Sequence, residues 1–285
     1  MKESLLTIED VEPGIQKVTL DVDALCLEEK QREQFEKKFL KFLDSDRFHS
    51  RIFSRRNNAV IYLTENIIPK KEDERLPLLL LFGNPASHSV ASGMFFSFEG
   101  NEREHRFWKI LRQADILSFS DSVKGDSVEV LNKLRKKELY ELSYTSPFRI
   151  GLAVFYTMPS PASDREWAGV SGLRKLFGKE ALTRICECEG NRIAGIIREF
   201  VSPSGAVIAF QKDAYLAIKF STSSDYTLDK AKAGSLIGNC QCDSDIRLFC
   251  LPPTRLRMGY LDLLQDFRDR ILKARLSDGY GAPVQ

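Results

Sequence analysis

The feature that most constrains the fold is an uninterrupted apolar run, Leu78–Phe82, which ends at Gly83-Asn84-Pro85. A strand with apolar residues on both faces is buried on both faces, and such strands occur almost only in parallel sheets covered by helices. In open sheets of this kind, ligands bind beyond the carboxyl ends of the strands. The sequence therefore predicts that Asn84 stands at the ligand-binding edge of a parallel sheet.

Further strand-like segments alternate with amphipathic segments along the chain. Strands are predicted at Ala59–Leu63, Leu78–Gly83, Ile150–Tyr156, Ala206–Phe210 and Ile246–Leu251. Helices are predicted at Leu27–Leu43, Arg103–Leu111, Trp167–Ile185, Asp213–Lys219 and Tyr260–Leu272, with the end of another at Ile193–Phe200. Such alternation implies parallel strands joined by right-handed crossovers. The predicted fold class is α/β, with a central, mostly parallel four-stranded sheet flanked by helices and an N-terminal elaboration. The strand Ala59–Leu63 belongs to the elaboration, and the other four form the central sheet.

Length and composition indicate a globular protein with one main domain. Of the 285 residues, we assign 1–75 to an N-terminal extension packed on the core and 76–285 to the α/β domain. A net charge of +2 does not by itself indicate a nucleic-acid partner, although a local basic face is compatible with it. Because there is no signal-peptide pattern and no bilayer-spanning apolar run, we expect an intracellular, non-secreted protein, either cytoplasmic (at the nucleoid in a prokaryote) or nuclear, with no membrane partner. We also expect a monomer.

Asn84 belongs to a longer pattern of residues. Gly93 follows nine residues after Asn84, Phe96 three residues later, and then comes His105-Arg106-Phe107-Trp108-Lys109. This order resembles the first motif of the uracil-DNA glycosylase superfamily, and within it the mismatch-specific uracil- and thymine-DNA glycosylases. That motif has a Gly-Ile-Asn-Pro-Gly loop, a glycine, an aromatic residue and then Asn-x-Phe-Trp-Lys.

Two later segments extend the resemblance over roughly residues 78–275. The segment 210–215, Phe-Gln-Lys-Asp-Ala-Tyr, resembles the Gly-Lys-x-Ala-Tyr turn of the family, with Gln211 in place of glycine. The segment 251–257, Leu-Pro-Pro-Thr-Arg-Leu-Arg, resembles the proline-containing second motif. Each segment follows a predicted strand, in the same order as in the family.

The resemblance implies a uracil-DNA glycosylase-like fold and a monofunctional DNA glycosylase of base excision repair. Such an enzyme binds damaged DNA, flips uracil or another damaged or mismatched base into a pocket, and hydrolyses the N-glycosidic bond without a cofactor. Asn84 is the implied catalytic residue, because an amide can position the attacking water without ionising. The alternative is that Asn84 only turns the chain before Pro85.

The resemblance also implies residues for the base and the DNA. Phe96 would stack on the flipped base, unless it is a core phenylalanine, and Gly93 would allow close backbone approach. Arg255 would contact phosphate or fill the vacated space in the duplex, unless it is a solvated charge at the rim. The implied base pocket comprises Gly83, Pro85, Gly93, Phe96 and Met158, with Ser160 as a further candidate; the implied DNA contacts are Ser87, His88, Pro252, Pro253, Thr254 and Arg255.

The chain departs from the family pattern at several positions. Ala86 replaces the glycine after Asn-Pro, and His105 replaces the asparagine before Phe-Trp. Val154 stands near the position where some branches use an asparagine to bind the uracil edge, and Leu251 stands where others have histidine. These departures leave the specificity for the base open.

Four cysteines form two Cys-x-Cys pairs, Cys186/Cys188 and Cys240/Cys242. Paired thiolates on extended backbone would complete a zinc site or hold an iron-sulfur cluster, although the spacing is not the usual Cys-x-x-Cys. The alternative is four structural thiols, and we predict no cofactor.

Two other functions fit the same residues. One is a non-catalytic relative that binds a modified base or an abasic site. The other is a small-molecule α/β hydrolase in which Gly-Asn-Pro is coincidental, which predicts turnover of free nucleosides and no salt-dependent affinity for DNA.

Overall fold

Strands and helices alternate through residues 5–97, 103–120, 127–253 and 260–277, the part of the chain that the computed structural model describes. The strands are β1 Leu6–Glu12, β2 Ile15–Asp21, β3 Phe53–Arg56, β4 Ala59–Ile67, β5 Leu76–Phe82, β6 Phe148–Val154, β7 Ala206–Ala209, β8 Ile237–Asn239 and β9 Arg247–Cys250. The helices are α1 Val22–Leu25, α2 Glu29–Asp44, α3 His49–Ile52, α4 Ser87–Ser92, α5 Arg106–Gln113, α6 Val128–Glu141, α7 Gly169–Ile196, α8 Lys212–Ile218, α9 Leu228–Lys232 and α10 Tyr260–Ser277, with a π-helical turn at Ile197–Val201 after α7.

The protein is α/β, with a mixed sheet that has nine strands within the described residues. Eight of them run in the order β1-β2-β4-β6-β5-β7-β9-β8, and β3 pairs with β4. The neighbours β6, β5, β7 and β9 are parallel to one another. The strands at the two sides, β1 to β4 and β8, pair in antiparallel fashion.

The prediction of a mostly parallel four-stranded sheet is therefore wrong about its extent. Part of β4 was predicted, at Ala59–Leu63, but the other N-terminal strands were difficult to predict because they are half-exposed and charged, as in β1, Leu-Thr-Ile-Glu-Asp-Val-Glu. They join the sheet through β4, where Asn66 pairs with Ala153 of β6. Their apolar residues become continuous with the core only after that pairing forms, and the pairing partner lies far away in the sequence.

The central strand β5 is buried at every position, as predicted from its composition. Leu79 and Leu81 face a core that also contains side chains of α2 and α7. Leu78, Leu80 and Phe82 face a second core, which contains side chains of α5, α6 and α10. Since both faces are covered by helices, an all-apolar strand is stable here.

The N-terminal residues share the first core with the rest of the chain. Phe42 of α2 packs edge-on against Trp167, with 5.9 Å between the ring centroids. Arg184 of α7 donates a 2.8 Å hydrogen bond to the carbonyl of Ala24 and another hydrogen bond to the carbonyl of Leu25. Residues 5–75 thus extend the same sheet and its core.

Helix α7 contains one backbone irregularity. We predicted a helix over Trp167–Ile185 and the end of another at Ile193–Phe200, whereas the structure has one helical run from Gly169 to Ile196. It is kinked at Gly178, where φ is 77° and ψ is 177°. A side chain other than glycine would be strained at this φ.

Within the described residues, no helix is both long and apolar enough to cross a membrane.

Candidate active site

A cavity of about 390 Å³ opens at the carboxyl ends of the central strands. Its wall comes from the ends of β5, β6 and β7, from the segments that follow these strands and β9, and from Glu65 of β4. The lining includes Glu65, Phe82, Gly83, Asn84, Pro85, His88, Phe95, Phe96, His105, Arg106, Val154, Ser160, Phe210, Gln211 and Pro253. The volume is typical of sites for small organic groups, and the place in the sheet is where α/β folds bind ligands.

The orientation of the Asn84 amide is fixed by hydrogen bonds from its nitrogen. Asn84 Nδ2 donates to Ser160 Oγ at 2.8 Å and lies 3.3 Å from the carbonyl oxygen of Met158. Among the described residues, nothing donates a hydrogen bond to Asn84 Oδ1. Because a carbonyl oxygen can only accept, the partly buried Asn84 presents a preoriented acceptor at the cavity wall.

Ser160, in the loop after β6, is hydrogen-bonded to the loop after β5 that contains Asn84. Its Oγ also accepts a 2.8 Å hydrogen bond from the backbone N–H of Gly169. Its backbone N–H donates to the carbonyl of Pro85 at 3.0 Å, and its own carbonyl accepts from the N–H of Ser87 at 2.9 Å. The loop after β5 and the loop after β6 are therefore held together through Ser160.

Phe96 lines the cavity in an unusual backbone conformation. Its φ is +48°, which is a rare and strained value for a bulky residue. Trp108 Nε1 donates a 3.1 Å hydrogen bond to the Phe96 carbonyl. The ring packs on Phe107 at 4.6 Å and on Phe82 at 5.0 Å between centroids. Phe107 and Trp108 of the predicted motif thus support Phe96 at the cavity wall.

Two departures from the family pattern are helix caps. His105 precedes α5, and its Nδ1 accepts a 3.1 Å hydrogen bond from the N–H of Phe107. Gln211 precedes α8, and its Oε1 accepts a 2.7 Å hydrogen bond from the N–H of Ala214. A polar side chain at these positions satisfies a free N–H of the first turn, which explains why the structure accommodates both residues.

Gly93 and the Met158 side chain do not line the cavity. Gly93 ends α4 with a φ of +71°, and a Cβ there would lie 3.3 Å from Lys136 Nζ. Met158 is 3% exposed, and its side chain packs in the core shared with α2 and α7. Only the Met158 backbone carbonyl faces Asn84. Gly83, Pro85 and Phe96, the other predicted pocket residues, line the cavity.

Ser87 is buried and contacts the N-terminal region. Its Oγ lies 2.9 Å from His49 Nε2, and His49 Nδ1 lies 2.8 Å from the carbonyl oxygen of Phe42. Because that carbonyl can only accept, Nδ1 donates, and the neutral ring accepts the Ser87 hydroxyl at Nε2. Ser87 therefore supports the loop after Asn84, and its hydroxyl is engaged away from solvent.

Acid should weaken this contact. Burial lowers the pKa of His49 below its usual value of 6.5, although Asp46 opposes the shift. A histidine with a lowered pKa contributes stability that is complete above pH 6.5 and is lost as pH falls through the lowered value. We expect the free energy of unfolding of the wild type to fall more steeply below pH 6.5 than that of His49→Gln. Urea unfolding at a series of pH values measures this, and parallel pH profiles would contradict it.

The remaining predicted DNA contacts are divided between described and undescribed residues. His88 and Pro253 line the cavity, and the carbonyl of buried Pro252 accepts a 3.1 Å hydrogen bond from the Tyr260 hydroxyl. Thr254 and Arg255 lie outside the described residues, so their proposed roles stay predictions.

The four paired cysteines do not form a metal site. Cys186 and Cys188 lie on helix α7, where side chains two positions apart face different directions, and not on extended backbone as assumed. Burial raises the pKa of each of the four thiols, which disfavours the thiolate that a metal needs. In the described ranges, no group of three or more His, Cys, Asp or Glu side chains could hold a metal ion. This contradicts a shared metal and favours structural thiols.

Sequence reasoning missed Glu65, which lines the cavity from β4. The strand was predicted to end at Leu63, but it continues to Ile67 and carries Glu65 into the interior. A lone glutamate after an apolar run is a weak signal, because glutamates are usually solvated at strand ends. Its burial depends on the pairing of β4 with β6.

No protein-family model matches the sequence, and a search of curated proteins finds no similar one.

Proposed function

We propose that the protein is a monofunctional DNA glycosylase that excises uracil or another damaged base. The observation that carries this proposal is the Asn84 amide at the end of β5. Its nitrogen is held by Ser160 Oγ at 2.8 Å, and its oxygen lacks a described protein donor beside a cavity of about 390 Å³. A uracil-DNA glycosylase-like fold is part of the same proposal, supported by the four adjacent parallel strands and the positions of the motifs at their ends.

The proposed reaction is hydrolysis of the bond between the base nitrogen and C1′ of the sugar. Asn84 Oδ1 accepts a hydrogen bond from a water molecule and positions its oxygen against C1′ as that bond breaks. The bonding electrons leave with the base, which takes up a proton, and the water loses a proton to become the C1′ hydroxyl. Because positive charge develops on the sugar, the water needs placement more than a strong base.

The aromatic wall supports a planar ligand. Phe82, Phe96 and Phe210 line the cavity. The buried rings of Phe82 and Phe210 stack on each other with 5.1 Å between their centroids, and the half-buried Phe96 is the most exposed of the three. Aromatic faces bind any flipped base, since every base has a π-face. The alternative of a small-molecule hydrolase predicts the same wall, so substrate tests must distinguish the two.

Excision assays test the proposal directly. Purified protein is incubated with oligonucleotides that carry uracil, hypoxanthine or a thymine mismatch, and abasic sites are then cleaved with alkali. We expect alkali-dependent cleavage of at least one substrate, with no cleavage before alkali. Salt-dependent DNA binding without base release would favour the non-catalytic relative, and turnover of free nucleosides alone would favour the hydrolase.

Removing the Ser160 hydroxyl should impair excision without unfolding the protein. Ser160→Ala loses the acceptor that orients the Asn84 amide, so we expect kcat to fall about tenfold, the effect of one well-placed hydrogen bond. KM should stay nearly unchanged because Ser160 is proposed to orient Asn84 and not to bind the base.

The matched control for this variant is Ser171→Ala. Ser171 is exposed on α7, and its hydroxyl donates to the carbonyl of Ala168 at 3.0 Å. It should keep wild-type kcat. A Ser160→Ala protein with wild-type kcat would argue against a need to orient Asn84.

A further inference from the structure

Glu65 is an acidic residue buried at the wall of the cavity. It is 2% exposed, and its Oε1 has no hydrogen-bond partner among the residues that the structure describes. Buried polar atoms are nearly always paired, and an unpaired one costs stability. An unpaired, buried acidic group that lines a cavity is therefore a candidate for binding a ligand.

Its place in the sheet puts Glu65 beside the end of β6. Asn66 pairs with Ala153 in antiparallel register, so the next residues along, Glu65 and Val154, are neighbours. Both line the cavity. Val154 is apolar and cannot form hydrogen bonds through its side chain. Of these two neighbouring side chains, the polar one therefore comes from β4.

The surroundings of Glu65 favour its protonated form. Burial raises its pKa well above the usual value, while Lys136 of α6 acts in the opposite direction. The Lys136 ammonium also pairs with Glu12 at 3.4 Å. Among the described residues, the other titratable or charged groups that line the cavity are His88 of α4, and His105 and Arg106 at the start of α5.

A protonated carboxyl offers one hydrogen-bond donor and one acceptor side by side. An N–H next to a C=O in a ring offers the complementary pair, so the two groups form two hydrogen bonds at once. Uracil and hypoxanthine have such an edge. A carboxylate offers acceptors alone and would face the carbonyl oxygen of these bases unfavourably.

We propose that Glu65 hydrogen-bonds the edge of the flipped base and selects bases that present an N–H next to a C=O. The inference rests on the proposed function for its substrate, but the binding contact itself is independent of catalysis. Glu65 would act as a specificity residue at a position where Val154 offers no polar group.

A stability measurement separates this role from a structural one. Since the pKa of Glu65 is raised in the folded protein, its contribution to stability is lost as pH rises above the usual value. At pH 7 the residue should be a net cost to the fold. We expect Glu65→Leu to raise Tm by roughly 2–4 °C, whereas a structural acid would lower Tm when removed.

The binding test uses two free bases that differ only at the edge. In 1-methyluracil the N–H beside the carbonyl is intact and the position of the sugar is blocked, while 1,3-dimethyluracil has lost that N–H. NMR titration of the wild type, Glu65→Gln and Glu65→Leu measures the affinities. We expect Glu65→Gln to bind 1-methyluracil within about threefold of wild type, because an amide keeps one donor and one acceptor.

For Glu65→Leu we expect the affinity for 1-methyluracil to fall about tenfold or more, to the weak affinity that 1,3-dimethyluracil shows for all three proteins. Equal affinity of wild type and Glu65→Leu for 1-methyluracil would overturn the proposal, as would no binding to the wild type. Selective binding without base release from DNA would leave the Glu65 contact standing and reject the glycosylase. Base release with unselective binding would reject the Glu65 contact alone.

Discussion

Replacing Phe96 with alanine is expected to lower kcat/KM for base excision by about ten- to a hundredfold. Stacking of a nucleic-acid base on an aromatic side chain contributes about 1–3 kcal/mol by alanine substitution. The ring of Phe96 lies at the cavity wall, in contact with Phe82 and His105 at 5.0 and 4.8 Å between centroids. The loss should appear mainly in KM, because the proposed stacking would hold the base equally before and during bond cleavage.

Three variants separate stacking from folding. Phe96→Tyr keeps the aromatic face and should stay near wild type. Phe96→Gly adopts a φ of +48° without strain, so it should fold at least as well as Phe96→Ala and still lose excision. Phe220→Ala removes a partly exposed phenylalanine that does not line the cavity, and it should be unaffected. A folded Phe96→Ala protein with wild-type kcat/KM would show that Phe96 is a core residue and does not stack on the base.

The strained backbone at Phe96 suggests why this residue needs so much support. The Trp108 indole donates to its carbonyl, and Phe107 packs on its ring. Strained conformations persist where the surroundings fix them, and they concentrate at functional sites. The Phe-Trp pair is buried, so its contribution to the site is to hold Phe96 in place.

The central strands could be predicted because their signals are local. The run Leu78–Phe82 is apolar at every position, and it can be stable only when both of its faces are covered. Asn84 then follows at the carboxyl edge by chain direction alone. The position of the site in the fold was thus available from about ten consecutive residues.

The N-terminal half of the sheet could not be predicted in the same way. Strands β1 and β2 mix charged and apolar residues, and they are stabilised by pairing in register, such as Val18 with Tyr62, and by the shared core. β-structure of this kind depends on partners that are distant in sequence. The same long-range pairing buries Glu65, which is why a residue at the cavity wall escaped detection.

The assigned roles of Gly93 and Met158 came from motif order, which does not determine side-chain direction. Gly93 has the spacing of a pocket glycine, yet it lies at the C-terminal end of α4, where its positive φ terminates the helix. Met158 follows a core strand, but its side chain turns to the opposite core while its carbonyl faces Asn84. Backbone and side chain of one residue can thus face different sites.

The central claim is that the Asn84 amide positions the water that attacks C1′, and single-turnover excision by Asn84→Ala tests it most directly. We expect a folded protein with wild-type affinity for damaged DNA and an excision rate lower by about a hundredfold or more, the effect of removing one preorganised polar group. Asn84→Asp should retain part of the rate, because a carboxylate also accepts a hydrogen bond from water. The phosphates of DNA would repel this carboxylate, so Asn84→Asp should bind DNA more weakly than the wild type.

The control for this measurement is Asn239→Ala, which removes an exposed asparagine amide at the end of β8 and should leave the rate unchanged. Circular dichroism and thermal unfolding confirm that each variant is folded before its rate is compared. The account predicts slow excision with intact DNA binding for Asn84→Ala. It predicts wild-type excision for Asn239→Ala. A folded Asn84→Ala protein that releases the base at the wild-type rate would contradict it.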